Sequence, residues 1–446
     1  MLTPAEATEL LTVKMLPKQE NERSTLLRLD RYFHGEFDLG WMPRQARPEY
    51  RLMLTKARMH FLRLVVRTIR QRLYVDGFRV TATEGSDAQA WSLWQANSMD
   101  ARQSMVHTDA LVYGSAYVTV WPDPELGARI AGESPLAMTV TTAIDDPNRV
   151  EYAVKTATID VERIAVLYDN SCAYRFQVDR SSAQWVLVDI VEHNLGITPV
   201  VPILNDPDLL GRKSSEIEEL LPIQDRINET LADRMMAQKF AAFRQRWATG
   251  LVIPEDDDGQ PVEPFNSAVD RLWIAEDTDV KFGEFSDTPL SPYLDAVDAD
   301  VRHMAALAQV PAAYLLGSID NVSADAITAA EAGLMARVED KQATYGEAWE
   351  QVMRLALAAA GDSGAATDLA SEVIWRDTET RSPAVLVDTL TKLRSIGVPL
   401  EFLLERYGLT PQGIERVMDM AGREAITSAR AQASAFGLSV NGNDLT

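Results

Sequence analysis

Between Ser323 and Ala360 the apolar residues recur at every third or fourth position: Ile327, Ala330, Leu334, Val338, Tyr345, Trp349, Val352, Leu355 and Ala359. That is the period of an α-helix with one buried face. Lys341 alone interrupts the stripe, and Ser323 is a residue type that caps a helix start. A continuous helix over 324–360 would be about 55 Å long at 1.5 Å per residue, longer than the core of a small domain needs. Near its start Ala329, Ala330, Ala332, Gly333 and Ala336 would let another backbone approach closely.

The first half of the chain reads differently. Helical spacing runs through Leu26, Leu29, Tyr32 and Phe33 and again through Phe61, Leu62, Val65, Val66 and Ile69, with a Gly- and Pro-marked loop over 35–48 between them. Strands are expected at 78–81, at 116–121, and at 150–156, 164–168, 174–178 and 185–191, where β-branched and aromatic residues lie between polar turns. Helices are expected near 88–96 and 101–112. In the second half Ser215-Glu216-Ile217-Glu218 fits a capping box and predicts a helix start. Pro222 suits the first turn of a helix whose stripe continues through Ile223, Ile227, Leu231 and Met235 to Trp247. A β segment follows: 251–253 and 262–265 flank the turn dipeptide Asp258-Gly259, with further strands at 272–274 and 280–282. Ser291-Pro292 opens another helix, lined by Leu294, Val297, Val301, Met304 and Leu307 and closed by Pro311. Short helices near 384–395, 400–407 and 412–420 follow a lone strand at 373–375, and the tail from Ala433 is expected to be disordered. The fold class is α+β.

The chain has 446 residues, 46% of them hydrophobic, enough for two to four structural units. There is no run of about 18 apolar residues, and Glu6, Glu9 and Lys14 punctuate the start, so neither a membrane span nor a signal peptide is expected and the protein should be cytosolic. One cysteine, Cys172, can form no internal disulfide; its neighbours Tyr168, Tyr174 and Phe176 suggest a half-buried strand residue. The net charge of -23 disfavours tight DNA binding, which draws its affinity from Lys and Arg on phosphates. It does not disfavour a wall that surrounds DNA and repels it.

A search for catalytic chemistry finds little. Gly211-Arg212-Lys213-Ser214 has Arg where a phosphate-binding loop needs Gly before its Lys. The acidic run 255–258 before Gly259 would put Pro254 and Phe265 at ligand positions of a calcium loop, and neither can coordinate. The five histidines lie far apart, and none pairs at the i, i+4 spacing of a zinc helix. Ser115 lacks the second Gly of a nucleophile elbow. No cofactor and no metal are expected, and the reading is not an enzyme.

The order of elements, with several local stretches, resembles the portal proteins of tailed phages, specifically the Gp6-like family common in phages of actinobacteria. The stretches are Tyr32-Phe33-His34-Gly35, Val75-Asp76-Gly77-Phe78, 112–118, His193-Asn194-Leu195-Gly196 with Pro199-Val200-Val201-Pro202, Ser215-Glu216-Ile217, 321–327 and Gly397-Val398-Pro399. The likeness covers about 20–420. It implies a portal fold: a mixed wing over 1–210, stem helices over 211–248 and 290–310 around a β clip at 249–289, and a tunnel loop at 311–322. A long helix and wing strand would occupy 323–382 and a helical crown 383–432, with a tail over 433–446. It also implies a dodecameric ring at the capsid vertex. The ring would contact the major capsid protein, the terminase large subunit and head-tail adaptor proteins, and pass double-stranded DNA without sequence specificity, first in the host cytoplasm and then in the virion. Within that frame Leu316, Gly317, Ser318, Ile319, Asp320 and Asn321 are candidates to face the DNA, and Trp273 and Phe282 to serve clip and adaptor contacts. Rival readings are another head ring or adaptor protein, or an acidic metal-dependent enzyme.

Overall fold

A computed structural model describes residues 1–37, 48–79, 88–146, 149–242, 246–250, 279–284, 289–317, 324–362, 369, 371–376, 383–409 and 411–435. Helix α1 (Pro4–Glu9) opens with a capping box: the Thr3 hydroxyl accepts the Glu6 amide and the Glu6 carboxylate accepts the Thr3 amide. A π-helical stretch, Leu10–Met15, joins it to α2 (Leu16–Phe33). Then come α3 (Pro48–Ala57), α4 (Leu62–Arg70), β1 (Val75–Arg79), α5 (Ala88–Ala96) and α6 (Met99–Tyr113). Eight strands follow: β2 (Ser115–Asp123), β3 (Gly127–Glu133), β4 (Met138–Thr142), β5 (Val150–Ile159), β6 (Glu162–Tyr168), β7 (Cys172–Val178), β8 (Trp185–Glu192) and β9 (Val200–Leu204). A 3-10 turn at Glu218–Leu220 leads into α7 (Leu221–Ala242), then β10 (Arg246–Thr249), β11 (Lys281–Glu284), α8 (Ser291–Leu307), α9 (Ala312–Leu316) and α10 (Ala324–Ala359). The chain closes with β12 (Glu372–Trp375), α11 (Pro383–Ser395), α12 (Leu400–Tyr407) and α13 (Pro411–Ala435). The mixture of helix and antiparallel sheet is α+β, as expected.

Two sheets and the long helix organise the interior. Strands β4 to β8 form an antiparallel meander, and β3, β2 and β9 form a second sheet with β2 in the middle. Helix α10 crosses the second sheet, burying Leu334, Val338, Tyr345, Trp349 and Val352 completely. An aromatic cluster holds it there: the Trp94 ring meets Trp349 edge-on at 5.0 Å and Phe78 at 5.2 Å. The N-terminal helices cover the five-stranded sheet separately, setting Ala7, Leu11 and Met15 against Val154, Leu167, Tyr174 and Phe176. Strand β12 returns to pair antiparallel with β1, with Val75 opposite Trp375. No described helix is long and apolar enough to cross a membrane.

Several local expectations change. Trp247 is not the end of a helix: α7 stops at Ala242, and Trp247 lies in β10, opposite Gly283 of β11. The capping box at Ser215 does not form: the Ser215 hydroxyl donates to the Val112 carbonyl, and Glu218, its expected partner, opens a 3-10 turn that no side chain caps. Cys172 is fully rather than half buried. The final helix runs through Ala435, past the residue where the tail was expected to begin. The hairpin at Asp258-Gly259, the strands at 251–253, 262–265 and 272–274, and Ser323 lie outside the described residues.

Candidate functional site

Helices α7 and α8 pack against each other and frame the segment that carries β10 and β11. The sequence explains the pairing. Ile223, Ile227 and Leu231 bury one stripe of α7, and Val297, Val301 and Met304 bury one stripe of α8. Leu294 and Leu307, placed on the same stripe by spacing, are 47% and 53% exposed. On the outer side Arg226 makes a two-pronged ion pair with Asp300. The start of α7 is tied to the N-terminal half by polar side chains. Gln224 accepts the Phe61 amide at 3.1 Å and donates to the Met59 carbonyl at 2.8 Å; Asn228 accepts the Met59 amide, and Asp225 accepts the Tyr32 hydroxyl. The far end, towards Ala242, is free of such ties among the described residues.

The ribbon of β10 and β11 leaves that end. Phe282 stands opposite Ala248 and is 40% exposed; Trp247 stands opposite Gly283 and is 38% exposed. Adjacent positions on a strand point to opposite faces, so one aromatic ring lies on each side of the ribbon. Gly283 is required by the indole, since a Cβ there would sit 2.3 Å from the Trp247 ring. Sequence reasoning put Trp247 at a helix end and missed it here; the five-residue step from Met235 to Phe240 was the available signal. Trp273 lies outside the described residues.

The segment between α8 and α10 is short. Gln309 takes a positive φ of 52°, Pro311 precedes α9, and Gly317 ends α9 at a φ of 69°, where a side chain would be strained. Leu315 is buried and Leu316 packs partly against the main core. The Tyr314 hydroxyl donates to the Glu331 carboxylate of α10, and the Arg72 guanidinium lies 3.4 Å from the same carboxylate and 5.7 Å from the Tyr314 ring centre. Ser318, Ile319, Asp320 and Asn321 lie outside the described residues, so Leu316 and Gly317 mark where the chain departs.

Lys341, the interruption in the long stripe, is 1% exposed. Its ammonium lies 2.5 Å from Glu216, 3.0 Å from Asp206 and 2.8 Å from the Asn205 side-chain oxygen. Arg337, one turn earlier on α10, reaches the other Glu216 oxygen at 2.6 Å, and the Tyr345 hydroxyl donates to Asn205. Two cations thus face the buried Glu216 and the half-exposed Asp206, which is what permits the burial of Glu216 and Lys341. Further along, His107 Nδ1 lies 3.1 Å from the Leu73 carbonyl, a contact only an N–H can make. Its Nε2 is therefore unprotonated and accepts the Trp349 indole N–H at 2.9 Å. Complete burial pushes the His107 pKa down to about 4. Lys213 donates to the Ser115 hydroxyl and Arg212 pairs with Asp208, so both cations of the Gly211–Ser214 stretch are already engaged. Among the described residues no group of His, Cys, Asp and Glu could hold a metal ion.

This arrangement combines a long helix pinned across a sheet, a helix pair with a small aromatic ribbon at one end, and a short turn between them. Sequence comparison covers nearly the whole chain. Residues 14–420 match the phage portal protein family of the SPP1 Gp6-like type. The portal protein of Mycobacterium phage L5 is 33% identical over 363 residues, covering 76% of this chain and 73% of that protein. The portal protein of Mycobacterium phage D29 is similar to the same extent. The chain belongs to the SPP1 Gp6-like family of phage portal proteins.

Proposed function

We propose that this chain is the subunit of a dodecameric ring at the capsid vertex, a virion component through which double-stranded DNA is packaged and ejected. The match over residues 14–420 carries the reading. In it, 1–210 is the wing, α7 and α8 are stem helices, and 249–289 is the clip entered and left through β10 and β11. The segment 311–322 is the tunnel loop, 323–382 the long helix with its wing strand, and 383–432 the crown. The ring itself catalyses nothing. The terminase large subunit and the head-tail adaptors dock on it, with Trp247, Phe282 and Trp273 as aromatic contacts at the clip, and the major capsid protein surrounds the wing.

The charge of the chain suits passage of DNA. At -23 per subunit, a ring repels phosphate more than it grips it, so a duplex moves without being held. The tunnel loop is the segment proposed to approach the DNA, from Leu316 to Asn321. Tyr314, Glu331 and Arg72 hold its entry point against the body of the subunit.

Negative-stain images of the purified protein test the assembly: rings with a central hole are expected, and a population of monomers at every concentration would remove the proposal. Deletion of residues 318–321 tests the loop. The deleted protein should still form rings while packaging or retention of DNA fails; normal packaging would exclude the loop from that role.

A further inference from the structure

The stretch from Arg51 to Arg72 is the basic exception in an acidic chain. It contains Arg51, Lys56, Arg58, Arg63, Arg67, Arg70 and Arg72 and no Asp or Glu, while the whole chain stands at -23. Two of these cations are engaged: Arg58 donates to the Phe37 carbonyl and Arg72 pairs with Glu331. Helix α4 turns Leu62, Val65, Val66 and Ile69 into the core. Arg63, Arg67 and Arg70 line its other side, at the three- and four-residue spacing that makes helix neighbours. Among the described residues none of the three pairs with a carboxylate. Arg63 lies over the Phe33 ring at 5.4 Å, and the Arg70 Nε is buried without a partner. Three like charges along one helix face repel, and among the described residues no carboxylate pairs with them to offset that repulsion. Leu52, Met59 and Leu64 are exposed among the cations, at 58%, 46% and 36%. A surface that mixes guanidinium groups with large apolar side chains suits a protein partner; a phosphate backbone is met by cationic and polar groups alone.

The solvent side of the long helix has the complementary composition. Ala336, Glu339, Asp340, Ala343 and Glu347 are all exposed on α10, and among the described residues no cation pairs with these three carboxylates. Its alanines leave room for a second helix to lie close. Asp340 and Glu347 are seven residues apart, as are Arg63 and Arg70, so both stripes are about 10.5 Å long. Aligned antiparallel, two such helices set Arg63 beside Glu347 and Arg70 beside Asp340.

We propose that α4 of one subunit docks on the solvent side of α10 of the next, through these charges and the apolar groups between them. The contact joins two different surfaces, so it repeats from copy to copy and closes into a ring when the rotation allows. It deepens the ring reading above and depends on it.

A charge-swap experiment on the full-length protein tests the contact, with assembly followed by light scattering after size exclusion and by negative-stain imaging. Arg63→Glu/Arg67→Glu/Arg70→Glu is expected to raise the protein concentration needed for assembly by at least about tenfold. Glu339→Lys/Asp340→Lys/Glu347→Lys should do the same, and mixing the two variants should restore assembly, because every contact of an alternating ring then joins opposite charges. The combined six-residue variant should recover it without mixing. Circular dichroism melting of each variant establishes that it is folded; the neutral set Arg63→Gln/Arg67→Gln/Arg70→Gln gives a milder version with a smaller shift in the same direction. Wild-type assembly by either charge-reversed set overturns the contact, and so does failure of the combined variant to recover when both parents are folded. If the arginine set assembles normally but loses mobility-shift binding to duplex DNA, the basic face serves DNA instead and the proposal falls. A wild-type protein that never assembles removes the ring reading itself, which separates that failure from failure of this contact alone.

Discussion

Replacing Lys341 with methionine would keep the length of the side chain and remove its charge. Glu216, with no exposed side-chain surface, would then keep Arg337 and the Asn205 amide but lose the charge of Lys341. Breaking a buried pair by deleting one partner typically costs about 3–5 kcal/mol, so Lys341→Met should lower the urea midpoint sharply; a change within error would show that the network contributes nothing. His107 makes a prediction of opposite visibility, since it needs no mutation. Its folded pKa lies near 4 while the unfolded side chain titrates near 6.5, so between those values the unfolded chain binds the extra proton. Stability from this group is complete above about pH 6.5 and declines as pH falls towards 4, by roughly 3 kcal/mol over the window. Urea unfolding at pH 7 and pH 5 should reveal this decline, and His107→Gln should flatten it; an unchanged slope in the variant would assign it to other groups.

Helix α7 allows core and surface contributions to be compared within one element. Leu231→Ala removes a side chain that is 4% exposed and should cost about 2–5 kcal/mol. Arg226→Ala removes an ion pair whose guanidinium is 56% exposed and should cost under about 1 kcal/mol. Equal losses in urea unfolding would contradict this division. The stripe that predicts the Leu231 effect was legible in the sequence because a helix with one buried face imposes a three-to-four-residue period over several turns. The same holds for α5, α8, α10 and α12 and for β5 to β8. Short elements were less legible. Trp247 continued an apolar spacing by coincidence, and only its pairing with Gly283 across the chain fixes it as strand. Ser215 and Glu218 matched a local pattern, but the Ser215 hydroxyl is taken by the Val112 carbonyl, about a hundred residues earlier in the chain. Lys341 read as a flaw in the stripe because its partners are distant in sequence. The unpaired arginines of α4 were visible as letters, but only the fold shows that the core faces away from them.

At the level of the molecule, the acidic balance predicts weak contact with nucleic acid. In a mobility-shift assay at physiological salt the purified protein should leave duplex DNA unshifted; a complex that persists there would overturn the view of the chain as a non-gripping wall. The topology adds a consequence for biosynthesis. Strand β1 is completed by β12, and Asp76 receives the Arg376 guanidinium from 300 residues further along the chain. A ribosome that has delivered β1 must therefore translate most of the gene before that edge is covered. A product that terminated early would keep an unpaired strand edge beside Phe78, the kind of surface that chaperones and proteases recognise.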